Sequence, residues 1–250
     1  MIQCGVAPMR INIMIGPYPD VLSYWGAKNA ALILDEGENW RLITPMLLHA
    51  GIIHLVGNIS VQLETGVFFE REWGSPIYLV IYLTSTVGAS ILSTIAMPGS
   101  LSVGSSGAVM GIFGAKLAEL FCKACEPRNT FDERVNHAMR KHQLELSLGG
   151  CVIVMLFSFI PFVDWAAHLG GMVTGFAVGL PIFALQIKTI GWRILWFVIG
   201  SVITVVGCVM SLQYMYNDVE TVEELADVCG YYQQFYDDYE CTCTLDDGDD

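Results

Sequence analysis

Charge is scarce in this chain. Twelve Lys and Arg stand against 25 Asp and Glu in 250 residues, and charged residues together reach only 15%. An average soluble domain carries about 25%. Hydrophobic residues make up 54%, and the mean hydropathy is +0.52. A soluble protein of this size could not hide so much apolar side chain. A disordered chain, a disulfide mini-scaffold and a nucleic-acid binder are therefore poor readings, and nucleic acid is not expected as a partner. A multi-spanning helical membrane protein is the natural class.

Positive charge is missing altogether from Asn217 to Asp250, where 12 acids stand with no Lys or Arg. Residues 1–216 hold 13 acids and 12 bases, so the net charge of -13 belongs to the tail and the body is nearly neutral. Such a tail reads as solvated and unfolded. The apolar runs lack the alternation of barrel strands. In lipid, backbone groups must be paired within the segment, so helices follow. The front lacks a signal peptide's order: Met1–Gly16 is apolar but short, and Pro8 and Arg10 break it.

A helix crossing the hydrocarbon core needs roughly 20 mainly apolar residues. Six stretches qualify: Leu42–Leu63, Ile77–Met97, Ser105–Cys125, Leu144–Val163, Ala166–Gln186 and Trp192–Met215. The expected fold is an all-α polytopic bundle of about six spans. The expected division is an N-terminal segment and loop (1–41), a transmembrane domain (42–215) and an acidic, Cys-containing tail (216–250). The loop after the third stretch holds Lys123, Arg128, Arg134, Arg140 and Lys141; Arg71, Lys188 and Arg193 share its side. The opposite side before the tail has only Arg10, Lys28 and Arg41. Basic loops stay cytoplasmic, so both termini are expected on the exoplasmic or lumenal side.

Ionisable groups in a bilayer are costly and usually functional. The first stretch holds His49, His54 and Asn58. The third begins Gly104-Ser105-Ser106-Gly107, and the fifth Ala167-His168-Leu169-Gly170-Gly171. All three run outside to inside, so Ser, His and Asn fall at similar depths; His49, seven residues in, is expected about 10 Å deep. Gly107, Gly111 and Gly114 share one helix face, and Gly171 and Gly175 form a small-xxx-small pair, which lets two backbones approach. That packing would bring the Ser106 hydroxyl within reach of the His168 imidazole, a nucleophile and its base. His54 and Asn58, at i and i+4, would donate to a developing oxyanion.

Trp40-Arg41, His49-x4-His54-x3-Asn58, Gly104-x-Ser106-Gly107 and Ala167-His168-x2-Gly171-x3-Gly175, in this order, resemble the rhomboid family of intramembrane serine proteases. The resemblance covers roughly Gly16 to Met215. It implies Ser106 as nucleophile and His168 as general base of a dyad. It implies the Ser106 backbone N–H, His54 and Asn58 as oxyanion donors, and Gly104 as the tight entry to the serine helix. His49, about 140° round a helix from His54, becomes a brace for the preceding loop, and Trp40 and Arg41 become scaffold. It also implies a water-filled cavity open to the outer side and a mobile fourth span that admits substrate sideways. Substrates would be single-pass membrane proteins cut near the outer face, with no cofactor. The six stretches match the second to seventh spans of a seven-span, eukaryotic secretase-like form, so either the sequence is short at the front or the protein lacks the first span of that form. The competing class is a catalytically silent relative that captures membrane clients; retention of Ser106 and His168 argues against it.

Other features carry less. Asp164, four residues before His168, reads as solvated at the rim rather than as a third catalytic member. Cys122-x2-Cys125 with His137-x4-His142 has zinc-like spacing, but the segment between holds few apolar residues, and no metal is expected. Cys229, Cys241 and Cys243 would face the oxidising side, where a disulfide forms, with the pairing open. Lys116, Glu119 and Lys123 read as interfacial anchors.

Overall fold

Apolar runs of about 20 residues coil because a helix pairs its own backbone groups where no water can. The computed structural model of the chain describes residues 5–124, 126, 129–158 and 163–241. Six long helices follow in order: α1 (Ile52–Trp73), α2 (Ser75–Ala96), α3 (Ser106–Ala124), α4 (Phe131–Phe157), α5 (Trp165–Ala184) and α6 (Ile190–Asn217). Among the described residues there is no strand, and the architecture is an all-α polytopic helix bundle. By length and composition α1, α2, α5 and α6 can each cross a membrane. α3 carries Lys116, Glu119 and Lys123, and the first half of α4 is charged from Asp132 to Glu145. Thr130 and Glu133 close a reciprocal capping box at the start of α4.

The first span starts ten residues later than expected from hydropathy. Short 3-10 turns run over Asn39–Leu42 and Thr44–Leu47, the second holding Pro45, which has no N–H for a helix interior, and residues 48–51 are not helical. His49 therefore lies in the non-helical entry, not inside a span, and its expected depth and helix-face relation to His54 do not apply. α1 also contains a π-helical turn at Gln62–Gly66.

α5 is the central helix and packs chiefly on α3, α2 and α6. Its closeness to α3 depends on missing side chains. A Cβ on Gly171 would lie 1.9 Å from the Gly107 carbonyl oxygen, and one on Gly175 would lie 1.9 Å from that of Gly111. Below them Phe69, Trp73, Ile81, Ile112, Leu180 and Phe183 fill a core shared by α1, α2, α3 and α5. α4 is the outlying helix. It touches α3 more than α5 and borders an apolar crevice of about 290 Å³ lined by Leu117, Leu148, Met155 and Met172.

Two expectations fail here. Lys116 and Glu119 are not interfacial anchors but are buried. Lys116 Nζ lies 2.8 Å from both Glu72 and Glu119, Trp73 Nε1 donates to Glu119 at 3.0 Å, and Lys123 also pairs with Glu119. A buried charge survives only when so paired. The tail is not unfolded over 218–241. Leu225, Val228 and Tyr239 are buried, Tyr239 with Ala7, Tyr18 and Val21. Asn29 donates to the Leu225 carbonyl at 2.7 Å, and Cys229 bonds to Cys241. Cys243 and Cys125 lie outside the described residues.

Candidate active site

The site begins at a backbone constraint. Gly104 has φ +126°, a left-handed conformation that favours glycine. Its N–H donates to the Pro45 carbonyl at 2.8 Å, tying the approach to α3 against the entry to α1. The loop before it is held from the other side. Lys28 and Ser102 exchange backbone hydrogen bonds of 2.8 and 3.1 Å, and the buried Lys28 ammonium donates to the carbonyls of Met97 and Ser100 at 2.8 Å each. The chain enters α3 with Ser106 as its first residue. The first N–H groups of a helix have no partner within it, and its dipole places partial positive charge there.

Ser106 Oγ lies 2.7 Å from His168 Nε2, although the two are 62 residues apart. His168 projects from the first turn of α5 and is buried. The Gly107–Gly171 approach sets the separation of the two helices. Asp164 caps α5, its Oδ1 accepting from the Ala167 N–H at 2.8 Å and its Oδ2 from the Ser93 hydroxyl. Its carboxylate is thus committed away from the imidazole. The other nitrogen, His168 Nδ1, lies 2.5 Å from Ser158 Oγ at the end of α4.

His54 stands beside this pair. A Cβ on Gly104 would lie 2.9 Å from His54 Nε2 and 3.8 Å from Ser106 Oγ, so glycine keeps that space open. The Ala50 N–H donates to His54 Nδ1 at 3.3 Å, which leaves the imidazole proton on Nε2, toward the site. Asn58 Nδ2 donates back to the His54 carbonyl at 3.0 Å, and Asn58 Oδ1 accepts from Ser105 Oγ at 3.3 Å. Gln62, in the π turn of α1, donates to Ser105 Oγ at 2.7 Å and to the Tyr82 hydroxyl at 3.0 Å. His49 packs edge-on to His54 with ring centroids 5.3 Å apart, its Nε2 buried without a hydrogen-bond partner among the described residues. Burial holds His49 below the ordinary histidine range. Trp40 and Arg41 are outside the site. The buried Arg41 binds the carbonyls of Ser23 and Ala27 and pairs with Glu38, its guanidinium 4.5 Å from the Trp40 ring centroid.

Residues 36–185 match the Rhomboid domain family. RHOMBOID-like protein 6, mitochondrial, of Arabidopsis thaliana is 37% identical over 189 residues, which cover 74% of this chain and 57% of that protein. The chain belongs to the rhomboid family. RHOMBOID-like protein 2 of the same plant is 32% identical over 228 residues, covering 84% of this chain and 68% of its own length. Rhomboid-like protease 2 of Toxoplasma gondii is 31% identical over 182 residues, covering 72% and 59%. This rhomboid thus spans little more than half the length of some curated relatives. The family is one of intramembrane proteases, and this member is a multi-pass membrane protein.

The geometry of this rhomboid brings Ser106, His168, His54, Gly104 and Asn58 to one end of the bundle. Ser158, Ser105, Gln62 and Tyr82 were not foreseen. Gln62 sits two turns after His54, and a helix-face reading could have found it. Ser158 has no such signal, because its place depends on where α4 ends. Among the described residues no group of three His, Cys, Asp or Glu could hold a metal, and Cys122 packs its thiol 3.8 Å from the Leu180 carbonyl.

Proposed function

We propose that the chain is an active intramembrane serine endopeptidase. The carrying observation is the 2.7 Å contact between Ser106 Oγ and His168 Nε2 at the start of α3. His168 Nε2 takes the Ser106 proton as Oγ attacks a peptide carbonyl carbon. The oxyanion that forms is held by the Ser106 backbone N–H and by the proton on His54 Nε2, the nitrogen left free by the Ala50 contact. Asn58 supports His54 by binding its carbonyl, and its second amide hydrogen is available to the oxyanion. Collapse breaks the C–N bond, His168 returns the proton to the leaving amine, and an acyl-serine remains. Water, deprotonated by His168, then hydrolyses the ester. Gly104 keeps the space beside Ser106 clear, and Gly107, Gly171 and Gly175 fix the spacing of the helices that carry the pair. Trp40, Arg41 and His49 brace the entry to α1.

A bilayer setting implies substrates that are single-pass membrane proteins, reaching the site from the lipid past α4, which packs chiefly on α3. The excess of Lys and Arg in the 123–141 region supports a cytoplasmic position for that end of the bundle, and so an exoplasmic or lumenal site. The Cys229–Cys241 bond at the site end is consistent with an oxidising compartment. Co-expression with a reporter bearing a helix-destabilised single-pass segment tests the reading. Wild type should release a fragment that Ser106→Ala does not. Identical fragment patterns would instead leave a protein that only captures membrane clients.

A further inference from the structure

The dyad needs its imidazole in one tautomer. For His168 Nε2 to accept the Ser106 proton, the neutral ring must carry its hydrogen on Nδ1. Something must hold it there, and Asp164, the acid nearest in sequence, has both oxygens engaged elsewhere.

We propose that Ser158 is the positioning residue that sets this tautomer. The inference rests on the protease reading above. Ser158 is buried at the end of α4, immediately after Phe157. Among the described residues its Oγ has two hydrogen-bonding neighbours: the Val154 carbonyl oxygen at 2.7 Å and His168 Nδ1 at 2.5 Å. A hydroxyl has one proton to give, and a carbonyl can only accept. The Ser158 proton therefore goes to the Val154 carbonyl, which also accepts the Ser158 backbone N–H at 2.9 Å and has a second lone pair for the hydroxyl. Ser158 Oγ then faces Nδ1 as an acceptor, and Nδ1 must bring the hydrogen. Nε2 is left bare, 2.7 Å from Ser106 Oγ. The polarity runs in one direction, from the Ser106 hydroxyl through the imidazole and the Ser158 hydroxyl to a helix-terminal carbonyl.

The neighbouring His54 is held the opposite way. There a backbone N–H donates to Nδ1, so Nε2 carries the proton. One histidine is prepared to accept at Nε2 and the other to donate. The difference comes from which partner each Nδ1 meets: a hydroxyl already committed as a donor, or an amide. Ser158 also sits on the outlying helix, so the base takes its orientation from α4 rather than from its own helix.

A serine that merely bonds back to the carbonyl four residues earlier is common. The test must therefore read the histidine. In the full chain in detergent micelles, with nitrogen-15 in its five histidines, His168 is identified by the signals lost in His168→Gln. The inference expects a protonated Nδ1 and a bare Nε2 in the unmodified protein. A protonated Nε2 there overturns it, with no variant needed. In Ser158→Ala the ring should lose this preference, and kcat for the reporter should fall roughly tenfold or more with KM unchanged. A folded Ser158→Ala protein with unaltered kcat also overturns it. If Ser158→Ala does not fold, the spectrum of the unmodified protein decides alone. Failure of the protease reading looks different: cleavage would then be the same in wild type and Ser106→Ala, whatever the nitrogen spectrum.

Discussion

Single side chains in this rhomboid are specialised by their partners. His54 and His168 are the same residue type at the same end of the bundle, yet Ala50 and Ser158 commit their δ-nitrogens to opposite roles. If His54 stabilises the oxyanion, His54→Ala should lower kcat about 10²-fold with little change in KM, the usual effect of removing one such donor. Reporter kinetics in micelles measure this; an equal loss in KM would assign His54 to substrate binding instead. Lys28 poses a different question. Its side chain is fully buried, and burial pulls its pKa down to about 8, with the Asp164 charge opposing. The unfolded chain holds that proton up to about 10.4. Between those values the unfolded state binds more protons, so the folded state gains stability as pH rises through the window and loses it as pH falls through 8. The cost of holding the charged form at pH 7 is on the order of 3 kcal/mol. A neutral amine still has two hydrogens for the two carbonyls it meets, Met97 and Ser100. The melting temperature of wild type relative to Lys28→Met should therefore climb between pH 8 and pH 10. A flat difference would mean that Lys28 stays charged throughout.

At the scale of helices, α3 and α5 meet backbone to backbone. A methyl on Gly171 would stand 1.9 Å from a backbone oxygen that cannot swing away. Gly171→Ala should therefore cost about 3 kcal/mol or more and separate Ser106 from His168. A lower unfolding midpoint together with lost cleavage checks this; unchanged stability would mean that the helices part freely. This contact was legible in the sequence, because small residues spaced by four on two spans have few other uses in lipid. So was the Gly104-x-Ser106 entry. Other elements were not legible. Hydropathy placed the start of α1 at Leu42, since it weighs apolar character and ignores the 3-10 turns that Pro45 imposes. The position of His49 was misjudged with it. Lys116 and Glu119 look like surface anchors by spacing alone; their burial depends on Glu72 and Trp73 from another helix. Ser158 was invisible for the same reason: its partner comes from the geometry of two helices, not from a period within one.

The whole molecule joins a membrane bundle to a docked tail. Residues 218–241 lie against the N-terminal segment through Tyr239, Leu225 and the Asn29 contact, with Cys229 and Cys241 closing a loop across a sequence separation of 12. A loop of that size constrains the unfolded chain by about 3 kcal/mol. Cys229→Ser should therefore make the 218–241 region more sensitive to added protease and leave labelling of Ser106 unchanged, because no tail residue touches the catalytic pair among the described contacts. Equal protease resistance would show that apolar docking alone holds the tail. The central claim concerns one hydroxyl activated by one imidazole within the assembled bundle. The most direct measurement is mass spectrometry of the full-length chain after reaction with a serine-reactive fluorophosphonate. The account predicts a single adduct on Ser106 that disappears in His168→Ala. An adduct that persists in His168→Ala, or one on another serine, would contradict it.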